Sequence, residues 1–329
     1  MKSPVAFNQD ALKINPSHET DRIVQFMQQW VQKKMKRRGA VVGISGGVDS
    51  AVVLALSVRA FGSKNVIPVI MPEKDSDPMS TILAHELSAT YEVEPILENM
   101  TGVLEAFDCY RRRDEVIRRL LPEYEADKGF KAKIVLPQDL LETGSLNIFS
   151  LVVIKPNGQE EKCPLSCRDM LEIVAASNLK QRSRMSMLYF HAETRQFAVV
   201  GTANKNEYEQ GFFVKQGDGG VDIQPIAHLF KTQIYQLAHF LGVPESIRTR
   251  IPTTDTYSAP CDQQEFFYRL PFETLDLLWF AKEHRVPIPE VADAMALSEA
   301  QIKRVFDDIA SKERATEYLR IPPPTLEPL

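Results

Sequence analysis

Ala40-Val41-Val42-Gly43-Ile44-Ser45-Gly46-Gly47-Val48-Asp49-Ser50-Ala51 is the stretch on which the reading of this chain turns. Ala40 to Ile44 is an uninterrupted apolar run of strand length, the pattern of a strand covered on both faces. Ser45 to Ser50 is a tight glycine-rich turn, and Ala51 to Phe61 reads as a helix. Backbone amides at a helix N-terminus point outward and carry partial positive charge, so they bind anions. Glycine lets backbone approach a phosphate closely, and Ser45 and Ser50 add hydroxyl donors. The turn lacks the Gly-Lys-Ser/Thr ending of a Walker A loop, and its glycine spacing differs from the dinucleotide fingerprint. Asp49 would repel phosphate unless a cation came between them. That points to Mg²⁺ bridging Asp49 to phosphate oxygens.

Working outward, the pattern repeats. A helix is expected from Thr20 to Arg37, with Ile23, Phe26, Met27, Trp30 and Val31 on one face. Val66–Ile70 and Val93–Leu97 read as strands, with a helix from Met79 to Tyr91 between them. Ser166–Thr194 reads as a long helix, Phe197–Gly201 as a strand, and Phe230–Leu241 as an amphipathic helix closed by Gly242. Strands alternating with helices imply an α/β fold with a doubly wound parallel sheet. Between Tyr110 and Cys167 the pattern breaks. An arginine-rich helix (Arg111 to Arg119) and a polar stretch (Glu123–Lys133) precede a β-rich segment, Leu146–Ile154, and a turn at Lys155–Gln159. This is read as an insertion carrying a β-hairpin. The last third is helical: Phe272–His284, Ile288–Ala296 and Ser298–Glu317, the last opened by a capping box of Ser298 and Gln301. The Pro322-Pro323-Pro324 tail is expected to be extended.

Composition narrows the function. The 329 residues carry a net charge of -5, which disfavours a general nucleic-acid binder. No stretch has the length and apolarity of a membrane span, and Met1 to Asp21 lack a signal-peptide core, so a cytoplasmic protein is expected. Cys109, Cys163, Cys167 and Cys261 are expected to be reduced. Cys163 and Cys167 have no second pair at ligand spacing and read as two ordinary thiols.

Ser45-Gly46-Gly47-Val48-Asp49-Ser50 after a strand resembles the pyrophosphate loop of the ATP-pyrophosphatase superfamily. Further blocks resemble one branch of it, the NAD synthases. They are Asn178-Leu179-Lys180-Gln181-Arg182-Ser183-Arg184-Met185, Gly201-Thr202 with Glu207, Gly211 to Gly220, Asp222 to Thr232, and Pro252-Thr253-Thr254-Asp255. The resemblance runs in order over about Val41 to Asp255. It implies an adenine nucleotide alpha hydrolase-like, Rossmann-like sheet with an inserted β-hairpin and a helical C-terminal extension. Residues 1–255 would form the ATP-pyrophosphatase domain, with the insertion at about 110–167, and 256–329 would complete the substrate loop and add the helices. After Asp255 the text departs from the family's Gln-x-Asp-Glu continuation, and the insertion is longer than in the short bacterial enzymes.

The chemistry implied is ATP-dependent amidation of deamido-NAD to NAD with ammonia through an acyl-adenylate. AMP and pyrophosphate are released. By resemblance Ser45, Gly46, Gly47, Val48, Asp49 and Ser50 hold the pyrophosphate, and Thr202 and Thr253 contact ATP. Asp49 and Glu207 are oxygen ligands suited to Mg²⁺. Lys215 and Lys231 offset phosphate charge, and Asp218 orients or deprotonates the incoming ammonium. Of Arg182 and Arg184, one faces the nucleotide and the other a partner subunit or substrate. Phe212 or Phe213 stacks on the pyridine ring, and Asp255 opens the substrate loop. The family implies a homodimer. The region before Ala40 is too short for an amidase domain, so ammonia is free unless a separate glutaminase docks. Two other readings stay open: the same adenylation on a different carboxylate, motivated by the altered loop, and tRNA thiolation, motivated by Cys163 and Cys167.

Overall fold

The computed structural model of the chain describes residues 7–137, 140–142, 148–254 and 256–326. Seven strands are present among them: β1 (Ala40–Gly43), β2 (Val66–Ile70), β3 (Ile96–Leu97), β4 (Lys131–Val135), β5 (Ser150–Ile154), β6 (Glu160–Pro164) and β7 (Ala198–Val199). Thirteen α-helices accompany them. The first five are α1 (Pro16–Met27), α2 (Val48–Phe61), α3 (Pro78–Thr90), α4 (Thr101–Ala106) and α5 (Cys109–Leu120). Next come α6 (Cys167–Glu193), α7 (Lys205–Gln210), α8 (Lys231–Leu241) and α9 (Glu245–Arg248). The chain closes on α10 (Phe272–Glu283), α11 (Ile288–Met295), α12 (Glu299–Ala315) and α13 (Glu317–Arg320).

The central sheet is parallel, in the order β3-β2-β1-β7, with Ala40 beside both Val66 and Ala198. Side chains of a strand alternate between its faces, and that alternation sorts the core. Ala40, Val42, Val66, Ile70 and Ala198 join one cluster with residues of α1, α2, α3 and α8. Val41, Val69 and Val199 join another, with Ala192 and Leu188 of α6. Both faces are therefore covered, as the doubly wound reading requires. A further core gathers Leu275, Leu278 and Trp279 of α10 with Val291 of α11, Ile302, Val305 and Ile309 of α12, and Phe230.

Several boundaries differ from the sequence expectation, each for a local reason. α2 begins at Val48, because Gly47 takes the N-cap with an extended backbone (φ -93°, ψ 156°). Asp49 and Ser50 thus lie in the first helical turn instead of in the loop. α1 begins at Pro16, where proline suits the first helical turn and the Asn15 side chain accepts from His18 N (3.1 Å). Its expected continuation to Arg37 is a wider π-helical turn over Gln28–Lys34. β3 holds two residues instead of five. Ser298 does cap α12 in a capping box with Gln301.

The insertion holds more than a hairpin. β5 and β6 pair antiparallel across the Lys155–Gln159 turn, and β4 adds a third strand on the other side of β5. β4 begins inside the stretch read as polar. Ala132 and Ile134 are buried while Lys131 is exposed, an alternation too short to read as a strand until its partner is known. The outer edge of β4 is not left open. Ala132 N donates to Ser258 Oγ (2.9 Å), Ala259 N to Ala132 O (3.2 Å) and Leu136 N to Glu265 O (3.2 Å). Lys133 Nζ pairs with Glu265 (2.7 Å). The segment after Asp255 is thereby bound to the inserted sheet, which covers an edge that would otherwise invite pairing.

A buried charge network ties these parts to the central sheet. Lys180 of α6 is 1% exposed, and its Nζ donates to Glu73 Oε1 (2.7 Å), Asp75 Oδ2 (2.8 Å) and Thr256 O (2.8 Å). Tyr110 of α5 donates to the other Glu73 oxygen (2.7 Å), and Arg113 pairs with both Asp75 and Asp114. Burial works against the Asp75 charge, but Lys180 and Arg113 outweigh it and hold the carboxyl below its ordinary range. Removing one partner leaves buried charge uncompensated, so Lys180→Met is expected to cost about 3–5 kcal/mol in urea unfolding. A loss below about 1 kcal/mol, the range of an exposed pair, would contradict this role.

Candidate active site

In the order β3-β2-β1-β7 the chain leaves β1 to one side and later returns to its other side. The β1/β7 junction is thus the switch point, where ligands bind at the carboxyl ends of such sheets. A cleft of about 1010 Å³ opens there. One wall is the turn after β1 and the first turn of α2. The other walls are the segments after β2 and β7, α6, the 211–218 turn, the 250–267 segment and the end of α12.

The turn after β1 is built by its glycines and by Ser50. Gly46 has φ +70°, and a Cβ there would lie 2.7 Å from Ser80 O and 2.9 Å from Leu83 Cβ. Only glycine fits. Ser50 is buried, donates to Gly47 O (2.9 Å) and accepts from Ser45 N (3.4 Å). Its hydroxyl braces the turn, and the residue lines the cleft expected from the sequence. Ser45 is exposed on the cleft, beside Gly47 and Val48.

Asp49 is the hub. Lys231, fully buried at the start of α8, is ion-paired to Asp49 Oδ2. Burial opposes the Lys231 charge, but Asp49 and Glu207 more than offset it, and its pKa rises. Asn204 Nδ2 donates to Asp49 Oδ1 (2.9 Å). The same Asn204 caps α7: its Oδ1 accepts from Glu207 N (3.0 Å), and Glu207 Oε2 accepts from Asn204 N (3.1 Å). Asn204 was not singled out from the sequence. Its signal was there, an Asn followed three residues later by Glu, which is a capping-box spacing. Glu207 Oε1 accepts from Gln263 Nε2 (3.3 Å), so the segment beyond Asp255 reaches the same centre. The Glu207 carboxyl is pushed up to about 8 by burial, with the neighbouring Asp49 charge adding to it.

The remaining candidates line the same cleft in different states. Asp218 is held by Val214 N (2.7 Å), and burial raises it to about 6 against the pull of backbone amides and Arg184. Arg184 donates to Met71 O (3.1 Å) and Arg182 to Lys215 O (3.3 Å). Thr202 and Thr253 line the cleft. Lys215 lines the cleft too, with its ammonium bonded to the C-terminal helices. Its Nζ donates to Tyr318 O (2.9 Å) and Ile321 O (3.0 Å), at the end of α13. Phe212 stacks on Phe267 (5.0 Å, 22°) and meets Phe266 and Tyr268, while Phe213 stacks on Tyr208 (5.6 Å, 13°). Both rings are thus engaged by protein aromatics. Asp255 lies outside the described residues.

Among the described residues no group of three or more His, Cys, Asp or Glu is gathered as a self-sufficient metal cage. Asp49 and Glu207 form a pair of hard oxygen donors bridged by Asn204, and the raised Glu207 carboxyl marks a place where a cation would be favoured. That donor set suits an ion that completes its shell with phosphate oxygens and water. Among the described residues no helix is long and apolar enough to cross a membrane.

Comparison with known proteins agrees with this geometry. The family model described as NAD synthase matches residues 19–134 and 140–320. The NH(3)-dependent NAD(+) synthetase of Rhizobium meliloti is 46% identical over 325 residues, 99% of this chain and 96% of that protein. The NH(3)-dependent NAD(+) synthetase of Thermotoga maritima is 35% identical over 253 residues, 75% of this chain and 81% of that protein. Among solved structures, the NH3-dependent NAD synthetase from Campylobacter jejuni, in complex with the nitrate ion, superposes with a TM-score of 0.60. It is 22% identical, covering 95% of this chain and all of the other, and so speaks to the fold. The NMN synthetase from Francisella tularensis does the same at 0.59 and 19%, covering 95% of this chain and 99% of that one. With both the sheet and the helical extension inside the matched residues, the chain belongs to the NAD synthase family.

Proposed function

We propose that this protein amidates deamido-NAD to NAD with ATP and ammonia, through an acyl-adenylate, releasing AMP and pyrophosphate. The observation that carries the reading is the convergence of Asp49, Asn204, Glu207 and Lys231 at the phosphate loop, in one cleft with Asp218. The nicotinate carboxylate attacks the α-phosphorus and pyrophosphate leaves. Ammonia then attacks the acyl carbon and AMP leaves. No protein nucleophile is required, so the chain's work is positioning and charge stabilisation.

The α2 amides and Ser45 receive the phosphates. Asp49 and Glu207 would hold Mg²⁺, which neutralises phosphate charge when bound. Lys231 fixes Asp49 and presents positive charge at the floor of the cleft. Asp218, with a carboxyl near 6, is ionised at neutral pH and can hold an ammonium and accept its proton. Three of the four thiols are poorly disposed to the sulfur transfer of thiolation. Burial raises Cys163, Cys109 and Cys261, against the thiolate that sulfur transfer needs. The proposed homodimer rests on the family resemblance, and exposed Phe190 near the end of α6 is an apolar side chain that such an interface could cover. Sedimentation velocity reads that assembly directly, and a monomer at all concentrations contradicts it. The enzyme is proposed to be cytoplasmic and to use free ammonia, with a glutaminase as an alternative donor.

Incubation with deamido-NAD, ATP, Mg²⁺ and ammonium is expected to yield NAD, AMP and pyrophosphate in equal amounts. Pyrophosphate release supported by another acid, with no NAD formed, would displace deamido-NAD as the substrate. Glu207→Gln preserves the capping box, and the Gln263 amide can turn to meet it, so the fold should survive. Its Mg²⁺-dependent turnover is expected to fall by on the order of 10²–10³. The pH effect has a definite sign. The Glu207 carboxyl sits at about 8 in the fold against 4.5 ordinarily, so the folded state holds its proton longer than the unfolded chain. Its stabilising contribution is full below 4.5, declines as pH rises towards 8 and is gone above that. Melting of the metal-free protein should show this decline, and Glu207→Gln should flatten it. An unchanged slope would place the carboxyl in an ordinary environment.

A further inference from the structure

The turn after β1 brings an acid and no lysine, so beyond the Mg²⁺ that Asp49 and Glu207 would hold, a side-chain cation for the outer phosphates comes from another element. The cations already described are committed. Lys231 is locked to Asp49, Lys215 to the end of α13, Arg184 to Met71 O and Arg182 to Lys215 O. Arg250 is placed differently. Its Nη1 lies 3.4 Å from where a Cβ of Gly46 would sit, directly against the loop. Its Nη2 donates to Asp77 Oδ2 (2.9 Å) and to Ser80 Oγ (3.0 Å). The Arg250 side chain is 17% exposed and the Asp77 side chain 53%. Arg250 and Ser80 both line the cleft with Ser45 and Gly47.

We infer that Arg250 is a phosphate-binding residue, which grips the β- and γ-phosphates of ATP and then the departing pyrophosphate, and that Asp77 holds it ready until they arrive. This rests on the adenylation reading above. As the substrate carboxylate oxygen bonds to the α-phosphorus, the bond from that phosphorus to its bridging oxygen breaks. The electron pair passes to pyrophosphate, and Arg250 meets the added charge. A guanidinium matches phosphate oxygens with two parallel donors. An ion pair with so exposed a carboxylate is weak, so exchanging Asp77 for a polyanion is favoured. Arg250 stands three residues before Thr253, which lines the same cleft.

Calorimetric titration of the full chain with inorganic pyrophosphate, with Mg²⁺ and again in EDTA, tests this. Arg250→Met is expected to weaken pyrophosphate about ten- to a hundredfold, the worth of a charge-assisted pair, and Arg250→Lys to recover part of it. Asp77→Asn keeps the α3 cap, since Asn caps as well as Asp, but removes the competing charge. It should tighten pyrophosphate about threefold, a gain of under 1 kcal/mol. KM for ATP should follow both directions while KM for the dinucleotide stays. Opposite signs for the two variants support the exchange. Three results overturn it: Arg250→Met within twofold of the parent, Asp77→Asn weakening binding as Arg250→Met does, or no pyrophosphate binding by the parent. A protein that binds pyrophosphate through Arg250 yet forms no NAD would reject the proposed substrate and leave this inference standing.

Discussion

Two carboxylates meet beneath the glycine-rich turn after β1, Asp49 in the first turn of α2 and Glu207 in the first turn of α7, and Lys231 makes that tolerable. Helix amides favour negative charge at both positions, but burial and mutual repulsion oppose it. The fold answers with a lysine that is itself buried, and with Asn204, which bonds to Asp49 through its side-chain amide and to Glu207 N through its side-chain oxygen. Lys231 N in turn donates to Asn206 Oδ1 (3.0 Å), and Asn206 bonds to the buried Asp276 of α10 (2.5 Å). Burial lifts Asp276 to about 6 while Asn206 and Thr232 N support its charge. The site thus reaches into the C-terminal helices through an unbroken polar chain. An extension that looks peripheral in the sequence is part of what fixes the lysine.

The cleft is completed from three sides. The central sheet supplies the loop and the acids. The inserted sheet holds the 258–265 segment on its edge and, through it, Gln263 against Glu207. Lys180, with Glu73 and Asp75, fastens Thr256 from the α6 side. The chain on either side of Asp255 is therefore anchored at fixed points, Thr256 at Lys180 and Gln263 N at Pro252 O (2.9 Å). A long inserted segment costs little closure entropy and here seats the 256–265 segment through several bonds.

Most of the sheet was legible in the sequence because its strands are short apolar runs followed by strong turn chemistry. The tight turn after β1 was legible because its glycines follow such a run. What was hidden depends on contacts between distant segments. The strand Lys131–Val135 has only a brief alternation, and its identity comes from pairing with β5. That Ser50 braces its own turn through Gly47 O is a contact that its residue type does not announce. Lys215 was placed by analogy near phosphate, while the structure gives it the carbonyls at the end of α13, a partner far off in sequence. Arg250 carried no motif of its own. Its place beside the turn comes from its bonds to Asp77 and Ser80, partners about 170 residues away in the chain.

The central claim is that the cleft joins a carboxylate to the α-phosphorus of ATP before nitrogen arrives. Deamido-NAD labelled with ¹⁸O in its nicotinate carboxylate tests it directly, by mass spectrometry of the AMP after turnover with ammonium. An acyl-adenylate route transfers one labelled oxygen to AMP for each NAD formed. Unlabelled AMP, with the isotope found in pyrophosphate or water, would contradict the account.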